Sequence, residues 1–417
     1  MTGLSSNDRE MKVGRPAWLP KVSMALMDER AVLCLLYFAY YGSAGAWFPF
    51  FSVYLQQIGL SGLQIGTLAG IRPAVIVLSQ PLWGVVADLW GRRRTLLLTT
   101  LLAAFGVLGF SWGEDFWFLS GWSVLYALLS NPVGSLVDSL ALDYLERENG
   151  LFYGRLRLWG AIGWAVAAYA AGRAIASRDM RLIFVFAAVL MLPGWPLALR
   201  TSRQTAGIVG ALGSNWRGLG PLLRNRRLLA FLVLVTLLQV GASPIFTFFS
   251  VYMNELGASR QLIGLAFGIQ GLSELPVYLI AAAIIRHVGL TRTLVLAFLL
   301  MAARPLLYSF IAQPALAVAS QLLHGSFSLF LVASIEYVNR LVPSAWRATG
   351  QSLFGAAYMG AGAILGNMLA GFLYDQMGVQ GMYRWSGILI LAVALAAGLV
   401  LRGNHDPRIA GATARAH

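Results

Sequence analysis

The sequence is poor in charge, and poorer still in lysine, histidine and cysteine. Charged residues fill 12% of the 417 positions, about half the share of an ordinary soluble domain. A water-soluble globule of this length needs far more polar surface, so that class is excluded. A single cysteine, Cys34, rules out an internal disulfide. It lies in an apolar run and reads as an inert core thiol. Four histidines and that one cysteine leave no ligand set for a metal site. Phosphate-binding loops and nucleophile–base arrangements are also missing. The chain is therefore not expected to be an enzyme or to carry a cofactor. Lysine contributes only Lys12 and Lys21 to a formal charge of +14. Such a balance in a soluble chain points to nucleic acid. Here most of the arginines sit between apolar runs, so no nucleic-acid partner is expected, and the charge reads as orientation in a membrane.

Apolar residues make up 58% of the chain, and the mean hydropathy is +0.69. Many apolar runs reach roughly 20 residues, the length of a helix that crosses a bilayer. A β-barrel is disfavoured, because its strands would alternate apolar and polar over about ten residues. The expected fold is all-α, with twelve spans near 30–56, 63–87, 95–112, 117–143, 155–176, 181–199, 228–254, 262–285, 293–312, 315–341, 350–374 and 381–401. Alternate connections, with the two tails, hold 24 of the 31 Lys and Arg. By the positive-inside rule both termini are cytoplasmic. The triplet Arg173, Arg178 and Arg181 runs against that trend. The organisation read from these features is a tail (1–28), a six-helix half (29–199), a central loop (200–227), a second six-helix half (228–402) and a short tail (403–417). No cleavable signal peptide is apparent. A bacterial inner membrane is the expected setting, with the lipid bilayer as partner.

The two halves repeat each other. Residues 50–71, FFSVYLQQIGLSGLQIGTLAGI, match residues 248–269, FFSVYMNELGASRQLIGLAFGI, at 11 of 22 positions and an offset of 198. The offset continues at Gly91/Gly289, Arg94/Arg292, Thr95/Thr293 and Leu96/Leu294. Shared Gly, Ser and Tyr at fixed spacing are not what apolar composition alone produces. Parallel repeats of this kind place a pathway between the halves, with a site near the midplane.

The connection from Gly84 to Arg94 reads GVVADLWGRRR. It resembles the signature loop of the major facilitator superfamily at Gly84, Asp88, Gly91, Arg92 and Arg93. The family's arginine after the aspartate is Leu89 here. The resemblance implies a conformational latch between the halves. Gly84 would let helices approach closely, and Asp88 would accept hydrogen bonds from a neighbouring helix end. The second copy has Arg286 where Asp88 stands, so it has lost the acidic group.

Residues 153–164, YGRLRLWGAIGW, and the segment Asn131–Asp138 resemble the fifth and fourth helices of lactose-permease and phenylpropionate-transporter type proton symporters. That resemblance implies that Asp138 and Arg157 form a carboxylate–guanidinium pair holding the small-molecule substrate, with Trp164 as a stacking platform. The chemistry fits, since a planar guanidinium binds bidentately and an indole offers a flat apolar face. Arg72, inside the second span, would attract an anion or pair with Asp138. Asn131 is a further polar candidate for substrate contact.

Glu274, Arg304 and His324 lie within apolar spans. Each would be costly against lipid, so they should face a cavity or one another. The resemblance assigns Arg304 and His324 to proton coupling, with a carboxylate three residues after the histidine. That position is Phe327 here, which leaves Glu274 as the carboxylate for the proton. The expected function is proton-coupled uptake of a sugar, nucleoside or aromatic carboxylate by a monomer, with the proton as its only coupling ion. An efflux antiporter and a non-transporting receptor on the same fold remain alternatives.

Overall fold

A chain surrounded by hydrocarbon must satisfy every backbone N–H and C=O internally, and helices do so within one segment. The computed structural model describes residues 28–147, 153–201 and 222–401, almost all of them helical. The expected tails and most of the expected central loop lie outside these residues. The helices are α1 (Glu29–Gln57), α2 (Gly62–Trp90), α3 (Arg92–Gly106), α4 (Phe116–Arg147), α5 (Tyr153–Ala174), α6 (Leu182–Met191) and α7 (Gly194–Ala198). After the central gap come α8 (Arg226–Thr247), α9 (Phe249–Glu255), α10 (Arg260–Val288), α11 (Leu290–Tyr308), α12 (Pro314–Ala319), α13 (Gly325–Leu341), α14 (Arg347–Gly355) and α15 (Ala363–Val400). Among the described residues, nine helical stretches are long and apolar enough to cross a membrane. Leu279 and Leu399 are 85% and 75% exposed, an apolar exterior that only lipid accommodates.

Local sequence explains where these helices stop. Ser61 caps α2 by accepting from the Gln64 backbone N–H, and the Gln64 side chain returns the bond, forming a capping box. At the offset of 198, Ser259 caps α10 by accepting from Leu262. Both helices are 29 residues long. Each ends at a glycine with positive φ, Gly91 at 94° and Gly289 at 89°. A Cβ strains that conformation, so glycine recurs there. α15 is broken at Gly378, where φ is 70° and ψ is 178°. Pro193 begins α7 and divides the stretch 182–198.

The segment before the gap (28–201) and the one after it (222–401) meet along two seams. In one, α2 packs on α15; in the other, α5 packs on α10. The repeated glycines Gly66 and Gly264 make these contacts close. A Cβ on Gly66 would stand 2.1 Å from the Asn367 carbonyl, and one on Gly264 would stand 2.3 Å from the Ala168 carbonyl. Small residues that admit backbone contact are the usual basis of helix association in lipid. Polar bonds reinforce the seams at the end marked by Gly59 and Gly257. Asp375 accepts from the backbone N–H groups of Gly62 (2.6 Å) and Leu63 (2.8 Å) at the α2 N-terminus. Gln56 donates to Tyr374, Tyr374 donates to Glu255, and Arg260 donates to the carbonyls of Ile175 and Arg178. Between described residues of the two segments, no hydrogen bond is formed at the opposite end, near Gly91 and Gly289. Among the described residues, polar bonds close the bundle at one end only.

Candidate functional site

A hairpin brings Arg304 of α11 and His324, in the 3-10 turn after α12, to one level. Glu274 approaches from the middle of α10. The three groups touch in sequence. Arg304 Nη1 lies 2.7 Å from His324 Nδ1, and His324 Nε2 lies 3.0 Å from Glu274 Oε1. A guanidinium has no acceptor, so His324 Nδ1 must accept from it. The imidazole proton is then on Nε2, where it is donated to Glu274. The neutral ring carries polarisation from a fixed cation to a carboxylate. Arg304 and His324 are buried, whereas the Glu274 side chain remains 26% exposed. Ser328 stands at 3.5 Å from the second Glu274 oxygen.

Two residues missed in the sequence complete this cluster. Arg304 Nη2 donates to Gln321 Oε1 (2.8 Å) and to the Tyr308 hydroxyl (3.0 Å), and Gln321 donates to that same hydroxyl (2.8 Å). Tyr308 follows Arg304 by four residues and Gln321 precedes His324 by three, so same-face spacing on a helix was the available signal. Phe327, at the position where the resemblance expects a carboxylate, stacks on His324 with centroids 5.4 Å apart.

The N-terminal cluster is arranged differently. Asp138 accepts from the hydroxyls of Tyr37 (2.6 Å) and Tyr153 (2.8 Å). Arg157 lies 3.9 Å above the Tyr41 ring centroid, a cation–π contact. The two charges influence each other, but no ion pair within 4.0 Å joins them, nor does one join Arg72 to Asp138. Tyrosines separate the pair that the resemblance implies. Trp164 uses its indole N–H to donate to the Phe267 carbonyl across the α5–α10 seam (3.2 Å). Asn131 donates to Ser79, joining α4 to α2 (3.1 Å). Tyr278 on α10 stands beside Glu274 and within electrostatic reach of Arg157, so it lies between the two clusters.

A cavity of about 900 Å³ separates the segments on the α2–α15 side. Arg72, Phe48 and Phe51 line it from one segment, and Gln239, Phe246 and Phe327 from the other. Of the expected substrate contacts, Arg72 alone is in this wall. Phe48 connects the wall to Trp164, with ring centroids 6.1 Å apart, and Phe246 and Phe327 connect it to His324.

Among the described residues, the expected latch residues form no hydrogen bond between the two segments. A Cβ on Gly84 would meet nothing within 4 Å, so the close helix approach expected there is absent with the bundle open at that end. Asp88 is half-exposed and makes no hydrogen bond to a described residue. Arg92 pairs with Asp143 at 2.6 Å, and Arg93 donates to the Leu199 carbonyl. Both partners belong to the same segment.

Comparison with known proteins agrees with this geometry. The model of the MFS_1 like family matches residues 31–385. The maltose permease of Geobacillus stearothermophilus is 32% identical over 374 residues, covering 88% of this chain and 93% of that protein. The probable 3-phenylpropionic acid transporter of Escherichia coli K12 is 27% identical over 373 residues, covering 87% and 95%. Among solved structures, a point mutant of the nucleoside transporter NupG superposes with a TM-score of 0.83 at 18% identity, covering 89% of this chain and all of that one.

Proposed function

The chain belongs to the MFS_1 like family of major facilitator transporters, and from that membership we propose that it takes up a small organic solute together with protons by alternating access. The family consists of permeases rather than enzymes, and this chain is a multi-pass integral membrane protein. The observation that carries the coupling is the line Arg304–His324–Glu274. In it, Glu274 is the terminal acceptor and the member most open to water. Protonating Glu274 weakens its hold on His324 Nε2 and removes a part-buried negative charge. Phe327 and Phe246 join His324 to the cavity wall, so a solute there and a proton on Glu274 act on the same side chains. Arg304 remains charged throughout and prevents His324 Nδ1 from taking the proton instead.

Twelve spans in two six-helix halves fit the chain best. The 57-residue apolar stretch 344–400 counts as two spans once broken at Gly378, and helices 153–174 and 182–198 add two more to the nine. The arginine distribution favours cytoplasmic termini and a bacterial inner membrane, in which the unlatched end would face inward. Asp138, Arg157, Trp164 and Asn131 would meet the solute when the halves rock and their present partners exchange. The relatives' names span a sugar, an aromatic acid and a nucleoside.

The test is proton movement in proteoliposomes, followed with a pH-sensitive dye while sugars, nucleosides and aromatic acids are added. One class should drive protons inward with the native protein and none with Glu274→Gln. Solute flux without proton movement, or unchanged movement in the variant, would refute the coupling.

A further inference from the structure

The cavity has one charged group in its wall and no charge to match it. Arg72 makes no hydrogen bond or ion pair with any described residue. Its guanidinium rests 5.8 Å from the Phe48 ring centroid. Among the described residues, no carboxylate lines the cavity. An unmatched cation inside the membrane thickness is costly, and such groups mark ion or substrate paths.

Two other residues of this wall carry a polar atom without a partner among the described residues. Gln239 Oε1 and the Tyr358 hydroxyl are buried and make no hydrogen bond. The residues are 7% and 1% exposed. Tyr358 lies in the π-helical turn Ala356–Gly362, a distortion that frequently accompanies function. Its ring is fixed by stacking on Phe354, with centroids 5.9 Å apart, and by Phe330 at 4.9 Å. A buried acceptor and a buried hydroxyl left unbonded each cost more than a made bond gains. Phe48, Phe51, Phe246 and Phe327 add flat apolar faces to the same wall.

We propose that this cavity binds an organic monoanion with an aromatic or similarly flat apolar body, its carboxylate on Arg72 and a donor group of the ligand on Gln239 and Tyr358. The proposal rests on the transporter reading above and narrows its substrate class. A neutral disaccharide fits less well. It would leave Arg72 unmatched and place many hydroxyls against phenyl faces. Arg72 thus defines an anion subsite apart from Asp138 and Arg157, whose groups are held by tyrosines.

Isothermal titration calorimetry on the purified full-length protein tests this with 3-phenylpropanoate, its neutral amide, 3-(4-hydroxyphenyl)propanoate and maltose. A charge-assisted contact predicts that the acid binds about tenfold or more tighter than the amide. Arg72→Gln should bring acid and amide to within about twofold, while Arg72→Lys keeps part of the preference because the charge remains. Tyr358→Phe should weaken the hydroxylated acid and leave the plain acid unchanged. Melting curves for each variant separate misfolding from lost recognition, and Arg72→Lys keeps the test decisive if Arg72→Gln does not fold. Acid and amide binding alike, failure of both to bind, maltose binding tighter than the acid, or a preference that survives Arg72→Gln would each overturn the proposal. Acid binding that depends on Arg72 but drives no proton movement would remove the coupling and leave the subsite standing.

Discussion

In the C-terminal segment a guanidinium, an imidazole and a carboxylate touch in a line, while in the N-terminal segment a carboxylate and a guanidinium stand apart, each held by tyrosines. The difference lies in burial and in the neighbours supplied. Arg304 and His324 are shut away from water, and Gln321 and Tyr308 bond the Arg304 Nη2, while its Nε has no partner among the described residues. Asp138 and Arg157 are half-buried, and Tyr37, Tyr41 and Tyr153 reach them first. A buried, densely bonded network rigidifies. A divided one can exchange partners at small cost. The first arrangement suits holding a coupling ion at a fixed place, and the second suits meeting a ligand.

The largest expected effect breaks the first arrangement. Arg304→Ala leaves His324, Gln321 and Tyr308 without their shared donor, which should cost roughly 3–5 kcal/mol of stability. Arg157→Ala removes one ring contact and should cost no more than about 1 kcal/mol. Melting temperatures of the two variants, measured in the same lipid, sharpen the comparison, and equal losses would erase it.

A second test acts on the seams. Gly264→Leu places a side chain where a Cβ already stands 2.3 Å from the Ala168 carbonyl, an overpacking of about 1–3 kcal/mol. That penalty falls on the sealed state alone. Distances between spin labels on the two segments at the Gly59/Gly257 end should lengthen. An unchanged distribution would mean that this seam does not hold the end shut.

A third test concerns Asp138. Tyr37→Phe removes one of its two donors, worth about 1.5 kcal/mol for a bond to a charged group. A freed carboxylate should turn toward Arg157, so that loss of Tyr37 shortens the Asp138–Arg157 distance in a solved structure of the variant. If Asp138 stays on Tyr153 with Arg157 still over Tyr41, the tyrosines are not what divides the pair.

Much of this architecture is readable in the chain. The expected spans 63–87 and 262–285 fall within three residues of the ends of α2 and α10, and Gly66 and Gly264, identical in both copies, play the same part in the two seams. The cost of ionisable groups inside a membrane requires Glu274, Arg304 and His324 to face a cavity or one another, and the fold joins them to one another. What escapes is the choice of partner. Tyr37 and Asp138 lie 101 residues apart, and nothing local ranks that phenol above Arg157 as the partner of Asp138. The bond from Trp164 to the Phe267 carbonyl depends on how α5 meets α10. The open space beside Gly84 depends on how the segments sit at that end, which a sequence does not state. Tyr358 shows the same limit, because its unbonded hydroxyl follows from a π-helical turn that composition does not mark.

The central claim is that Glu274 carries the coupling proton. It is tested most directly by comparing two modes of transport in proteoliposomes containing Glu274→Gln. One is accumulation of solute driven by an imposed pH gradient; the other is exchange of labelled for unlabelled solute with no gradient. Loss of the proton-carrying group should abolish gradient-driven accumulation, while exchange persists near the native rate. Accumulation at the native level in the variant would contradict the account, because the proton would then travel by another group.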